Sequence, residues 1–181
     1  MTSRYRLLEE GNAMHRSIAA AFAVVILVGA SGAWAQQRGP ISKKLLVGNW
    51  AYVRAESVAK DGTRFPLVEG TNPKGLLIFD GIRFSLQIMS EFPKLASNDR
   101  LKTTPEENRA VAHGVLSYYG TYSLSEGDGV LTLNIERSSF PNQNGSSPKR
   151  VVKTLTAEDL VYINPSTLAG RVNTNVWRRV R

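Results

Sequence analysis

Short β-rich segments, each ended by a turn signal, follow one another from residue 46 to residue 179. Asp-Gly pairs at residues 61–62 and 80–81 are typical of two-residue hairpin turns between antiparallel strands. Residues 131–135 alternate apolar and polar side chains, which is the period of a strand with one buried face. No long helical segment separates these strands, so a parallel α/β sheet is excluded and the chain is predicted to be all-β.

One short helix interrupts the predicted strands. Thr104, Pro105 and Glu107 form a capping box with proline at the first helical position, which predicts a helix near residues 104–112. The strands are predicted over residues 46–58, 63–68, 75–79, 82–90, 116–124, 130–136, 149–155, 160–164 and 171–179. Strands at this spacing build either a sandwich or an up-and-down barrel, and closure into a barrel removes the exposed edges.

The first 35 residues have the composition of a secretory signal. A basic start at residues 14–16 precedes an apolar run over residues 18–30, and Ala33-Trp34-Ala35 provides small residues before a cleavage point. The apolar run is short for a membrane span, which needs about 20 residues. We therefore expect cleavage after Ala35, with Met14 as an alternative start, and a periplasmic or secreted protein without an integral membrane span. Residues 36–44 are expected to be a flexible segment and residues 45–181 to form the single domain.

Charge and composition exclude several functions. The chain has no cysteine, which excludes disulfides and thiol catalysis. It has only two histidines, which leaves few side chains to bind a metal. No catalytic constellation or cofactor motif is recognisable, so we predict no catalytic residue, no metal and no cofactor. The net charge of +8 favours anionic surfaces or acidic ligands. The basic residues are scattered without a recognition helix or a stacking motif, which argues against nucleic acid.

Two tripeptides carry a first resemblance. Gly-Asn-Trp at residues 48–50 opens the first predicted strand, and Trp-Arg-Arg at residues 177–179 lies in the last. This combination resembles the lipocalins and the wider calycin barrels. The resemblance implies that the tryptophan plugs one end of a barrel and that an arginine stacks on its ring through cation–π attraction.

A second, broader resemblance covers nearly all of residues 45–179. It rests on residues 73–79, 83–88, 96–100, 104–108, 119–122 and 138–142. These segments resemble the lipocalin-like domain family of bacteria and fungi, which implies a single antiparallel up-and-down barrel of eight or nine strands. The chain departs from true lipocalins, because it lacks a Thr-Asp-Tyr triplet and its helix lies in the middle of the strand order. Transport of small lipids is therefore only an analogy.

Candidate ligand-binding residues are polar or aromatic side chains on the predicted strands: Ser85, Gln87, Tyr118, Tyr119, Tyr122 and Tyr162. Tyrosine combines an apolar body with a polar tip, which suits an amphiphilic ligand. Ser85 and Gln87 share one strand face, and alternation leaves open whether that face meets a cavity or solvent. Tyr118 and Tyr122 share a face, and Tyr119 lies on the other.

Candidate closure residues are those of the two tripeptides: Gly48, Trp50, Arg178 and Arg179. Alternation places Arg178 and Arg179 on opposite faces, so only one of them can reach the Trp50 ring. Arg179 is favoured because it shares a face with Trp177, an apolar residue expected to point inward.

The function expected from these features is binding of a small, partly apolar molecule that can carry a negative charge. Catalysis is less expected, and the alternative is a small-barrel isomerase or cyclase whose interior holds a buried carboxylate or arginine with a perturbed pKa. A barrel filled with side chains, acting structurally or through its surface, is the third possibility.

Overall fold

The computed structural model describes residues 40–65, 70, 72–167 and 170–181. The strands in this part of the chain are β1 (Gly48–Val58), β2 (Arg64–Phe65), β3 (Lys74–Phe79), β4 (Arg83–Met89), β5 (Val115–Ser125), β6 (Val130–Ser138), β7 (Lys149–Leu155), β8 (Asp159–Asn164) and β9 (Val172–Arg179). The α-helices are α1 (Lys43–Leu46) and α2 (Pro105–Gly114), and single 3₁₀ turns lie at Arg100–Lys102 and Pro141–Gln143.

The strands form one antiparallel sheet that closes on itself. Strands β3 to β8 each pair with the next strand along the chain, and β1 pairs with both β3 and β9. The result is an eight-stranded barrel, with β2 added to the edge of β1 as an extra strand. Closure satisfies the backbone groups that edge strands would otherwise expose. The predicted all-β up-and-down barrel is confirmed.

The barrel has two unlike ends. At one end, here called the closed end, α1 covers the start of β1, and its last residue Leu46 is fully buried with Trp50 and Trp177. At the other, here called the loop end, the long connections from β4 to β5 and from β6 to β7 begin and finish. Helix α2 belongs to the first of these connections.

The predicted capping box of α2 is present. The Thr104 hydroxyl accepts a hydrogen bond from the Glu107 amide, and the Glu107 carboxylate accepts one from the Thr104 amide. A further bond from the Ala96 amide also favours the carboxylate, and these backbone bonds hold the pKa of Glu107 below its ordinary value. The helix runs to Gly114, slightly beyond the predicted end.

Three details differ from the sequence predictions or lie beyond the described residues. Of the second predicted strand, Arg64–Phe65 is a strand in the structure, and residues 66–69 lie outside the described residues. Residues 43–46, partly within the expected flexible segment, form the N-capped turn α1, and Ile41 packs against the core. The expected signal at residues 1–35 lies outside the described residues. Within the part of the chain that the structure describes, no helix is long and apolar enough to cross a membrane.

Candidate functional site

The closed end is held together by Arg179. Its guanidinium carbon lies 4.1 Å from the centroid of the Trp50 ring, in the geometry of a cation–π contact. The same guanidinium donates hydrogen bonds to the backbone carbonyls of Leu45, Val47 and Ala157. It therefore joins the last strand to the segment from α1 to the start of β1 and to the β7–β8 turn.

Gly48 and Trp50 fit around this arginine. Gly48 has a φ of +135°, and a Cβ atom there would overlap Nη1 of Arg179. Trp50 Nε1 donates to the Leu46 carbonyl at 2.9 Å, which ties the ring to α1. Arg178 points away and pairs with Asp159 at 3.2 Å on the surface, so Arg179 is the arginine that lies over the ring.

The loop end has a different interior, and one half of its wall is polar. Ser57 pairs with Asn173, Asn164 with Asn173, and Tyr162 with Asn175. Directly paired residues share a face of the sheet, and Tyr162 is buried inside the barrel. Strands β1, β7, β8 and β9 therefore present a polar wall, defined here as Ser57, Arg150, Asn164, Asn173 and Asn175.

The other half of the loop-end wall is mostly apolar. Ile88 on β4 pairs with Leu116 on β5, and Gly120 on β5 pairs with Ile135 on β6. Ile88, Tyr118 and Ile135 are buried, and Leu116 packs against them as part of the core. In the strand order of the barrel, β4–β6 lie half-way round from β8, β9 and β1. Ile88, Leu116, Tyr118 and Ile135 form the apolar wall, and it faces the polar wall.

Arg150 is the unusual member of the polar wall, because its side chain is only 6% exposed. Its Nη1 donates to the Lys149 carbonyl at 3.0 Å and to Asn164 Oδ1 at 3.1 Å. No carboxylate of the described residues lies within ion-pair distance of it. Buried charges are normally paired, because removing an ion from water costs several kcal/mol, on the order of the stability of a whole domain.

Tyr162 lies beside Arg150, deep in the interior. Burial raises the pKa of Tyr162 well above its ordinary value, and the nearby Tyr118 adds to the rise. Arg150 and the indole N–H of Trp177 lower the pKa of Tyr162, because both stabilise the phenolate form. The Tyr162 and Trp177 rings stack with centroids 6.4 Å apart, which fixes the tyrosine against the closed-end core.

The predicted tyrosines separate into two groups. Tyr162 lies beside the polar wall and Tyr118 belongs to the apolar wall, and the two tyrosines are close enough to interact, so two of the candidate residues come together in the interior. Tyr122 is buried towards the closed end, in edge contact with Phe79 at 4.7 Å. Burial raises the pKa of Tyr122, and its ring fills the core rather than the polar region.

Ser85, Gln87 and Tyr119 do not line the interior. Ser85 pairs with Tyr119 on the outer face of the barrel, where Tyr119 is 45% exposed. The inward face of β4 belongs to Phe84, Leu86 and Ile88, because the larger apolar surface is buried preferentially. The strand face that carries Ser85 and Gln87 therefore meets solvent rather than a cavity. Ser85, Gln87 and Tyr119 do not belong to the interior site.

Sequence reasoning missed Arg150, Asn164, Asn173 and Asn175. The sequence does not distinguish Arg150 from the neighbouring Lys149, which is exposed, although Arg150 shares a strand face with the buried Val152. That shared face was the available signal. The described residues contain no group of three His, Asp or Glu side chains placed to hold a metal ion.

Comparison with known proteins agrees with this architecture. A family model described as a lipocalin-like domain matches residues 47–180. The chain belongs to the lipocalin-like domain family. The lipocalin-like barrel fold supports a ligand-binding role at the general level. No curated protein matches the chain.

Two solved structures are similar to this lipocalin-like chain. One is a lipocalin-like protein from Bacteroides uniformis, with 14% identity and a TM-score of 0.39, covering 75% of this chain and 99% of that one. The other is a fluorescence-activating β-barrel designed de novo, with 10% identity and a TM-score of 0.40. That match covers 77% of this chain and 98% of the designed chain.

Proposed function

We propose that this lipocalin-like protein is a periplasmic or secreted barrel that binds a small amphiphilic molecule in the loop-end half of its interior. The observation that carries the proposal is the division of that interior into a polar wall and an apolar wall. A uniformly apolar interior would be expected of a barrel stabilised by packing alone. Ligand sites typically combine apolar surface with a few convergent polar groups.

The two walls suit the two parts of an amphiphile. Leu116 is half-buried and offers apolar contact to a hydrocarbon or ring beside the buried Ile88 and Ile135, and ligand surface removed from water contributes about 25 cal/mol for each Å². Asn173 Oδ1 is buried without a hydrogen-bond partner among the described residues, so a ligand donor or a water would satisfy it. Tyr118 in the apolar wall and Tyr162 beside the polar wall each add an aromatic ring and a hydroxyl group.

Binding is proposed ahead of catalysis. A buried arginine is also what an isomerase or cyclase of this shape would need. Arg150 supplies a fixed positive charge but cannot accept a proton near neutral pH. A charge that holds a ligand is sufficient for binding, whereas isomerisation generally needs a group that also moves a proton.

The experiment compares ligand capture by the native protein and by a variant with a blocked interior. Protein isolated from a periplasmic extract without refolding is examined by native mass spectrometry and by titration with 8-anilinonaphthalene-1-sulfonate. Leu116→Trp adds bulk to the apolar wall, and Tyr119→Trp adds similar bulk outside the barrel on the same strand. We expect a bound small molecule or saturable dye binding in the wild type and in Tyr119→Trp, and strong loss in Leu116→Trp. Equal binding by all three proteins, or none by the wild type, would refute the proposal.

The location is tested separately. The composition of residues 1–35 supports export, because it combines a basic start, an apolar run and small residues before Gln36. We expect the exported protein to begin at Gln36, as read from the intact mass of periplasmic material. Retention of residues 1–35 on a protein found in the membrane fraction would contradict this part of the proposal.

A further inference from the structure

Arg150 is a buried charge whose hydrogen-bonding capacity is only partly used. Both of its hydrogen bonds come from Nη1, and Nε and Nη2 have no acceptor among residues 40–65, 70, 72–167 and 170–181. A guanidinium carries five N–H donors in a planar fork. Nε and one Nη2 proton form the side of that fork that commonly binds a carboxylate through two parallel bonds.

The surroundings of Arg150 offer positive charge and neutral polar groups without a neutralising carboxylate. Its neighbours in the polar wall are asparagines and a serine, and Tyr162 beside it resists ionisation because burial raises its pKa. An anion placed here would meet one positive charge in a water-poor site, where electrostatic attraction is stronger than at the surface. The anion would also provide the counter-charge that Arg150 lacks.

We propose that Arg150 binds the carboxylate head group of the barrel's ligand, so that the natural ligand is an organic acid with an apolar body. This inference rests on the proposed function and specifies its ligand class. The carboxylate accepts from Nε and Nη2 of Arg150 while Nη1 stays bound to Asn164, and the apolar body contacts Ile88, Leu116 and Ile135 on the opposite wall. Asn164 positions the guanidinium, since its Oδ1 accepts from Nη1 at 3.1 Å.

The test compares each acid with its uncharged alcohol. Decanoate and 1-decanol form an aliphatic pair, and 2-naphthoate and 2-naphthylmethanol form an aromatic pair. Binding at neutral pH is followed by displacement of 8-anilinonaphthalene-1-sulfonate and by the fluorescence of Trp177, which lies beside Tyr162 in the interior. The more tightly bound acid of the two identifies whether the apolar body is a chain or a ring.

Three variants assign the preference to Arg150. Arg150→Gln removes the buried charge, Arg150→Lys keeps a charge without the planar fork, and Lys149→Gln removes an exposed charge from the neighbouring position. We expect the wild type and Lys149→Gln to prefer the acid over the alcohol by roughly ten- to a hundredfold, the effect of charge-assisted hydrogen bonds. Arg150→Gln should lose this preference while keeping affinity for the alcohol, and Arg150→Lys should keep part of it.

A stability measurement separates ligand binding from a structural role. A structural Arg150 would lower the urea midpoint when replaced, whereas an unpaired buried charge can be removed with little loss or with a gain. We expect the midpoint of Arg150→Gln without ligand to equal or exceed that of the wild type. Equal affinity of the wild type for acid and alcohol, or an acid preference retained by Arg150→Gln, would overturn the inference and leave the binding function standing. Failure of the wild type to bind either pair would instead refute the proposed function.

Discussion

Arg179 at the closed end and Arg150 at the loop end both lie on the inward face of their strands, but their guanidinium groups have very different hydrogen-bond partners. Arg179 donates to three backbone carbonyls and lies over the Trp50 ring. Arg150 is almost fully buried and has one backbone carbonyl and one asparagine as partners. An arginine whose donors are used by its own chain stabilises the fold, whereas one with unused donors in a buried site is available to a ligand.

The same contrast extends to the side chains around each arginine. At the closed end, Trp50, Trp177 and Leu160 are fully buried, and the guanidinium of Arg179 donates to three backbone carbonyls. At the loop end, Asn164, Asn173 and Asn175 occupy inward positions and are only partly buried. We therefore expect substitutions at the closed end to change stability and substitutions at the loop end to change binding.

The largest expected effect is that of Trp50→Ala. Removing a fully buried tryptophan should lower the free energy of unfolding by about 3–5 kcal/mol, because the ring leaves a cavity and the cation–π contact is lost. Urea melts measure the loss. Val53→Ala, on an exposed position of the same strand, is the control and should change stability by less than about 0.5 kcal/mol. A loss of similar size in both variants would show that the closed end is not the stabilising region.

The second largest effect is expected for Arg179→Ala. This substitution should lower the free energy of unfolding by about 2 kcal/mol, because three charge-assisted hydrogen bonds to backbone carbonyls are lost. The double variant with Trp50→Ala should lose less than the sum of the two, because the two side chains share one contact. Arg178→Ala is the matched control. Its exposed ion pair with Asp159 contributes little to stability, and the stability losses of Arg178→Ala and Trp50→Ala should add. Strict additivity for Arg179 would contradict the closure contact.

The smallest effect appears only in alkaline solution and concerns Tyr162, at the boundary of the two ends. Because burial raises the pKa of Tyr162 above the ordinary value of 10.0, the folded chain holds this proton more tightly than the unfolded chain. Its contribution to stability is complete below about pH 10 and falls as the pH rises towards the raised folded value, by at most about 1.4 kcal/mol per pH unit.

Urea melts between neutral pH and about pH 11 test this dependence on Tyr162. Tyr162→Phe should lose less stability over the alkaline range than the wild type does, because the titrating group is gone. Tyr119→Phe, on the outer face, is the control and should follow the wild type. Parallel curves for the wild type and Tyr162→Phe would show that the Tyr162 hydroxyl is not held in a water-poor interior.

Local chemistry explains why much of the architecture was predictable. The Asp-Gly turns, the capping box at Thr104 and Glu107 and the alternation in residues 131–135 each depend on residues close in sequence. The tripeptides at residues 48–50 and 177–179 predicted which arginine lies over Trp50, because β9 is regular there and alternation holds to its end. These features are determined by the sequence itself.

Only the tertiary structure decided which side chains face the interior of the loop end. Alternation separates the apolar face of β4 (Phe84, Leu86 and Ile88) from its polar face, but it does not say whether the polar face meets a cavity or solvent. Register irregularities between Tyr52 and Arg54 and between Val152 and Thr154 also interrupt the alternation along β1 and β7. The sequence does not reveal that Arg150 is buried, because a charged side chain is normally solvated. Its burial follows from the pairing of β7 with β8 and the closure of the barrel, which are contacts between residues far apart in the chain.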